Sequence, residues 1–162
     1  MRTAPHSIFN RRSGFTLIEL ITVIVAISIL AGAILPNFIN MGTQARISTI
    51  QSMNGAIVAA ANNIRMLCAV SANCDVTNSF LHVNIKGQWY WLDWGWIDAG
   101  DDVGQDEIDV ALNYSGFNVV LINNLTTSFQ LISAPTPAQC AVTYIQASSD
   151  TGPTITTSTS GC

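Results

Sequence analysis

The stretch that decides the fold is "RRSGFTLIELITVIVAISILAGAILP", residues 11–36. Two arginines precede a glycine, and the 21 residues from Phe15 to Leu35 that follow are almost wholly apolar. As a helix they would be about 31 Å long, close to the hydrocarbon thickness of a bilayer. Glu19 lies inside this span, and a carboxylate in such a position is costly and usually functional. The stretch therefore predicts a membrane helix with a functional carboxylate near its start.

The charges of the chain are unevenly distributed along it. Three arginines and no acid precede Gly14, which by the positive-inside rule places the N-terminus in the cytoplasm. The residues after Gly14 carry 3 bases and 10 acids, a formal charge of 3 − 10 = −7. A surface of that sign argues against nucleic acid as a partner. An ordinary secretory signal, cut near the small residues of "AISILAGA" (26–33), is the alternative to a retained helix.

Beyond Pro36 the sequence changes from wholly apolar to amphipathic. Apolar residues recur at steps of three and four, as in a helix with one buried face: Ile50, Met53, Ile57, Ala61, Ile64 and Leu67. Gly32 and Pro36 interrupt the helix between its two halves, because proline removes a backbone hydrogen bond. The predicted segments are a membrane half at 15–36 and an amphipathic half at 37–68.

The remainder, 69–162, reads as a head made of antiparallel strands. The predicted strands are 80–85, 89–94, 117–122, 127–132 and 141–146, with "KGQ" (86–88) as a hairpin turn. The order of one long bent helix followed by a sheet predicts an α+β fold. The Ser/Thr-rich end, "SSDTGPTITTSTSGC" (148–162), is too polar to hold itself in place. We expect a disulfide of Cys162 to hold it.

Four cysteines follow the apolar segment: Cys68, Cys74, Cys140 and Cys162. An even number without a Cys/His cluster indicates two disulfides formed in an oxidising compartment, rather than zinc. Three pairings are possible, and closeness in sequence favours Cys68–Cys74 and Cys140–Cys162.

All four tryptophans lie within eight residues, at Trp89, Trp91, Trp94 and Trp96. One interpretation is an aromatic platform that binds a sugar or a surface. The favoured interpretation is a strand that packs its tryptophans on the helix and on neighbouring subunits.

An acidic cluster follows the tryptophans and includes Asp98, Asp101, Asp102, Asp106, Glu107 and Asp109. Its spacing does not fit an EF-hand loop, so we expect a solvated surface loop. A calcium site at Asp98, Asp101, Asp102 and Asp106 is the weaker alternative, and no other metal or cofactor is expected.

The motif "GFTLIE" (14–19), with the short basic leader before it, resembles type IV prepilins over residues 11 to about 36. The resemblance implies a leader at 1–14, cleavage between Gly14 and Phe15 by prepilin peptidase, and N-methylation of Phe15. It also implies a pilin fold and assembly into a helical filament through residues 15 to about 67. The chain has two histidines, and His6 lies in the leader that would be removed. Because the mature chain would keep His82 alone, we expect no enzyme.

A weaker likeness covers "LPNFINMGTQARISTIQSMNGAI" (35–57) and "CAVTYIQASSDTGPTITTSTSGC" (140–162), which are similar to pilins of the mannose-sensitive haemagglutinin type. The resemblance implies an inner-membrane precursor, an assembly platform in that membrane, an outer-membrane secretin and a surface pilus made of many copies. The alternatives are a type II secretion pseudopilin and a minor tip pilin that acts as an adhesin.

Glu19 is the residue for which a filament offers a chemical explanation. A carboxylate in hydrocarbon must be neutralised or paired, and the next base in the chain, Arg46, is 27 residues away. Cleavage after Gly14 would create an amine on Phe15 of the right sign. A pair with that amine in its own chain is one possibility, and a pair with a neighbour's amine is the one favoured here.

Overall fold

A computed structural model describes residues 14–100, 103–104 and 107–162, and for residues 35–40 it describes the backbone alone. A long helix, α1 (Leu17–Val70), precedes antiparallel strands, which confirms the predicted α+β class. The strands are β1 (Leu81–Ile85), β2 (Gln88–Asp93), β3 (Trp96–Ile97), β4 (Phe117–Asn123), β5 (Thr126–Leu131), β6 (Ala141–Ile145) and β7 (Thr154–Ser158). The chain divides into two compact units between Asn40 and Met41.

The first unit contains the apolar part of α1. All side chains from residue 14 to residue 34 are exposed in the isolated chain. The helix is assigned without interruption across Gly32 and Pro36. A bend or local opening of the helix at these two positions stays a prediction.

The second unit begins with the amphipathic part of α1. Five of the six residues that the spacing predicts to face the core are buried there, and Leu67 is partly buried. They share one core with apolar side chains of the strands, including Leu92, Phe129 and Tyr144. Burying one apolar face of a helix against a sheet is what stabilises an amphipathic helix in a globular protein.

The first sheet has the order β1-β2-β3 and is antiparallel throughout. Two-residue turns join its strands, Lys86-Gly87 and Trp94-Gly95, and all four residues have positive φ. Such turns match the twist of a hairpin, and glycine adopts this conformation without strain. The predicted hairpin of 80–85 with 89–94 is therefore present, with its second strand shifted by one residue.

The second sheet has the order β4-β5-β6-β7. The Ser/Thr-rich end contains a strand that was not among those predicted, β7, which pairs with β6 from Thr154↔Ile145 to Ser158↔Ala141. Threonine is β-branched and favours strands, and the backbone hydrogen bonds of a ladder do not depend on apolar side chains.

Hydrogen bonds join the two sheets at buried positions. The Tyr144 hydroxyl donates to the carbonyl of Ile97 over 2.6 Å, and the Thr127 hydroxyl donates to the carbonyl of Ala99. Burial, with the nearby charges of Asp98 and Asp93, raises the pKa of Tyr144. The sheets therefore form one head with a single core.

Two disulfides close the head: Cys68–Cys74 and Cys140–Cys162. These are the pairs that closeness in sequence favours. Arg46 of α1 donates to the carbonyls of Cys162, over 2.9 Å, and of Ser133, over 3.1 Å. The end of the chain is thus held by the pairing of β7 with β6, by the Cys140–Cys162 disulfide and by hydrogen bonds from the Arg46 side chain.

Candidate functional site

Glu19 makes a capping box with Thr16 at the start of α1. Its Oε2 accepts from the Thr16 backbone N–H over 2.9 Å and from the Thr16 hydroxyl over 2.8 Å. In return, the Glu19 N–H donates to Thr16 Oγ1 over 3.4 Å. Such reciprocal bonds satisfy backbone donors that a helix start otherwise leaves without partners. Glu19 therefore has polar partners in its own chain, although none of them carries a charge.

The Thr-x-x-Glu pattern of this capping box is present in "TLIE" (16–19), so the box could be predicted from the sequence. A base would neutralise the Glu19 carboxylate by its charge. Hydrogen bonding from uncharged groups is a second way to stabilise a carboxylate.

An apolar surface surrounds this helix start. Leu17–Ile34 is long and apolar enough to cross a membrane by length and composition, and none of it is buried within the chain. Its two hydroxyl groups hydrogen-bond to the backbone of the same helix. The Thr22 hydroxyl donates to the carbonyl of Glu19, and the Ser28 hydroxyl donates to the carbonyl of Ile24. Polar groups in hydrocarbon need such partners within the same helix. Gly14 and Phe15, the predicted cleavage site, are exposed just before it.

The family described as the prokaryotic N-terminal methylation motif matches residues 9–35. That motif is typical of type IV pilins and pseudopilins, and the match covers the N-terminal part of the chain alone. With the apolar helix, it fits a membrane-anchored precursor that prepilin peptidase processes and that pilus-type assembly machinery uses, and it suggests a structural, non-enzymatic protein. No curated protein and no solved structure matches the chain.

The predicted tryptophan cluster divides into two pairs. Trp89 and Trp91 project from one face of β2, where His82 of β1 stacks on both, with ring centroids 4.7 Å and 4.3 Å apart. Phe80 extends the row, 5.6 Å from Trp91. This row, Trp89, His82, Trp91 and Phe80, is called the aromatic row below.

The other two tryptophans lie beside the helix, Trp94 in the turn after β2 and Trp96 at the start of β3. The guanidinium group of Arg65 is 5.2 Å from the centre of the Trp96 ring and donates to the carbonyl of Trp94. A guanidinium over an indole face is a cation–π contact. This pair packs on α1, whereas the aromatic row lies on the outside of the first sheet.

The acidic cluster falls partly outside the described residues, because Asp101, Asp102 and Asp106 are among those not described. The expectation of a solvated loop is wrong for Glu107 and Asp109, which are 3% and 7% exposed. Asp109 accepts from the N–H groups of Gly104 and Val110. Within the described ranges, no three metal-binding side chains come together.

Proposed function

We propose that the chain is the structural subunit of a type IV pilus, in which the α1 helices of many copies pack together. The observation that carries the proposal is the exposed apolar surface of residues 15–34, which lies within the match to the N-terminal methylation motif. Apolar surface of this extent needs lipid or another protein to cover it. The inner membrane covers it before assembly, and other subunits cover it in the filament.

In this proposal, prepilin peptidase removes residues 1–14 and leaves a methylated amine on Phe15, which keeps its positive charge. The amine of a neighbouring subunit then pairs with Glu19. An ion pair inside an apolar bundle holds only if both charges are satisfied by good geometry. Assembly would thus depend on cleavage, because an uncut chain has no amine at this position.

The proposal gives each segment a place in the pilus. Residues 15–36 form the filament core, 37–68 link the core to the head, and 69–162 form the outer surface. Local opening of the helix at Gly32 and Pro36 would let the filament lengthen under tension. The partners are other copies of the chain, the inner-membrane assembly platform and the outer-membrane secretin, and the pilus lies outside the cell. The likeness to the mannose-sensitive haemagglutinin type is part of this proposal.

The test uses two substitutions at Glu19 that separate charge from capping. Glu19→Ala removes both, whereas Glu19→Gln removes the charge and keeps a side chain that can complete a capping box. We expect both variants to be processed and inserted in the membrane, and both to lose filaments in sheared-cell preparations. Asp150→Ala, which removes an exposed carboxylate of the head, is the control with normal filaments.

Normal filaments from Glu19→Gln, at normal subunit level, would show that the ion pair is not the assembly contact. Intact mass of the subunit tests the processing step, and we expect a chain that begins at a methylated Phe15. Retention of residues 1–14, or cleavage near Ala33, would contradict it.

Immunogold labelling separates the alternative roles. A major pilin labels along the whole length of long surface filaments, an adhesin of the tip labels their ends, and a pseudopilin forms no long surface filament. We expect uniform labelling.

A further inference from the structure

The second sheet of the head has two open edges. Its order is β4-β5-β6-β7, so β4 and β7 each pair with one strand only. An edge strand presents backbone N–H and C=O groups that can pair with another chain, and natural proteins usually block such pairing with charged residues, proline or a bulge. Neither β4 nor β7 contains a charged residue or a proline. The bulge of β4 lies at its far end, between Leu121 and Asn123, and leaves the rest of the strand regular.

The backbone groups that β4 presents outward follow from its ladder with β5. The N–H of Ile132 donates to the carbonyl of Gly116 over 3.0 Å, which makes these two residues a hydrogen-bonded pair. Hydrogen-bonded and non-hydrogen-bonded pairs alternate along an antiparallel ladder. The N–H and C=O groups of Phe117, Val119 and Leu121 therefore point away from β5, toward the outside of the sheet.

β7 presents its backbone groups outward in the same way. The N–H of Leu131 donates to the carbonyl of Cys140 over 3.0 Å, so by the same alternation Tyr144, four residues further on, also bonds to β5. Ile155 lies opposite Tyr144, and its N–H and C=O groups therefore point outward, as do those of Thr157 two residues later. Within the described ranges, the outward backbone groups of both edges have no hydrogen-bond partner.

The two edges match each other in direction and in face. Because the sheet has four antiparallel strands, β4 and β7 run in opposite directions. β7 of one copy and β4 of an equally oriented second copy are thus antiparallel, like every other pair in the sheet. The outward-bonding residues also lie on one face, since Val119 is opposite the buried Phe129 and Ile155 is opposite the buried Tyr144. Pairing the two edges would continue this inner face from one head to the next.

The charge of the chain favours a second copy that meets it through uncharged strands. The residues after Gly14 carry 3 bases and 10 acids, a formal charge of 3 − 10 = −7, so copies repel each other in general. A joint between β4 and β7 brings two uncharged segments together. Its strength comes from main-chain hydrogen bonds, as when an extended segment adds to an open sheet edge.

We propose that neighbouring heads join edge to edge, with β7 of one subunit added to β4 of the next. This joint rests on the proposed filament function, in which successive copies have the same orientation to the filament axis. A contact between two different edges repeats without closing, so it produces an open row of copies. A contact of β4 with β4 requires one head to be turned over, and it ends at a dimer. The heads therefore add a second contact to the packing of the α1 helices.

Cross-linking of intact sheared filaments tests this joint. Asn118→Cys in β4 and Thr156→Cys in β7 place thiols at two exposed positions, and the described residues contain no other free cysteine. Within one head the two strands are three spacings apart, about 14 Å, so a bismaleimide much shorter than that joins only thiols of different copies. We expect the double variant to give a ladder of dimers, trimers and larger multimers, and each single variant to stay monomeric.

The pattern of products distinguishes the possible contacts. Filaments of the double variant without multimers would overturn the proposal. Dimers from Asn118→Cys alone would indicate a β4–β4 contact and would overturn it as well. The control is Asn118→Cys combined with Lys86→Cys, because Lys86 is exposed in the β1–β2 turn and belongs to neither edge. A ladder as extensive from this control would show that cross-linking does not depend on the two edges.

Hydrogen exchange of the unaltered chain is a second measurement, which needs no variant to assemble. We expect the outward amides to exchange at least about tenfold more slowly in filaments than in the detergent-solubilised chain, namely those of Phe117, Val119, Leu121, Ile155 and Thr157. Unchanged exchange at both edges would overturn the joint. Absence of filaments from the unaltered chain would contradict the proposed function and the joint together, whereas filaments with neither multimers nor protected edges would contradict the joint alone.

Discussion

The two parts of α1 both carry apolar side chains, but these side chains have opposite surroundings in the isolated chain. From residue 14 to residue 34 every side chain is exposed, whereas from Ile50 to Cys68 one face of the same helix is buried in the core of the head. Ile24 is 52% exposed and Ile57 is 0% exposed, although both are isoleucines in one helix. The second part is thus stabilised within the chain, and the first depends on surroundings that the chain does not supply.

This contrast separates folding from assembly. Substitutions in the buried part should change the stability of the head, and substitutions in the exposed part should change membrane insertion or filament formation. Because all four tryptophans lie in the head, tryptophan fluorescence follows the unfolding of that part alone.

The largest expected effect on stability comes from Ile57→Ala. It removes a fully buried side chain, and such a change costs about 2–5 kcal/mol through lost burial and the cavity left behind. The matched change, Ile24→Ala, should alter the free energy of unfolding by less than about 0.5 kcal/mol, as at surface positions. Denaturant unfolding of the detergent-solubilised chain measures both. Equal effects of the two substitutions would show that the exposed part of α1 contributes as much to the stability of the head as the buried part.

The disulfides give the next largest effect. Replacing Cys140 and Cys162 by serine opens a connection with a sequence separation of 22, and the chain-entropy model gives a loss of about 3 kcal/mol. Replacing Cys68 and Cys74, separated by 6, should cost about 2 kcal/mol in the same model. The same unfolding measurement ranks them. The reverse order would mean that native packing around Cys68, at the end of α1, outweighs the loop entropy.

The smallest expected effect is a dependence on alkaline pH. Burial raises the pKa of Tyr144, so the stability that its protonated hydroxyl contributes to the head is complete below the ordinary tyrosine pKa of about 10. This stability is lost as pH rises above that value. Above that pH, the unaltered head should lose about 1.4 kcal/mol per pH unit more than Tyr144→Phe, the slope for one proton.

At neutral pH, Tyr144→Phe should itself be less stable by about 1–3 kcal/mol, because the carbonyl of Ile97 loses its buried donor. Identical alkaline slopes for the two proteins would show that Tyr144 is not the group that titrates.

The sequence predicted the elements of the fold better than their arrangement. The three- and four-residue steps of α1 and the alternation of 81–85 are local patterns, and they correspond to a buried helix face and to β1. Neither β7 nor the division into two sheets followed from such patterns. The polar residues 154–158 have no apolar alternation, and strand order is set by contacts between distant parts of the chain.

The candidate sites were predictable to different degrees. The prepilin motif is contiguous, so it could be recognised directly, and the capping box was readable as Thr-x-x-Glu. A cavity in the head that is lined by Phe80, Glu107 and Gln146 was not predictable, because these residues are far apart in sequence and meet only after the sheets pack. The four tryptophans form one cluster in the sequence, but two lie on β2 and the other two lie in the turn after it and at the start of β3.

The capping box has a consequence for the reversibility of a pilus. Both of its bonds to the Glu19 carboxylate end on Oε2. A carboxylate has a second oxygen with its own lone pairs, so a neighbour's amine at Oε1 could be added without displacing Thr16. In the proposed filament, a subunit would join and leave with its helix start intact, and a released subunit would carry its carboxylate back into lipid already hydrogen-bonded.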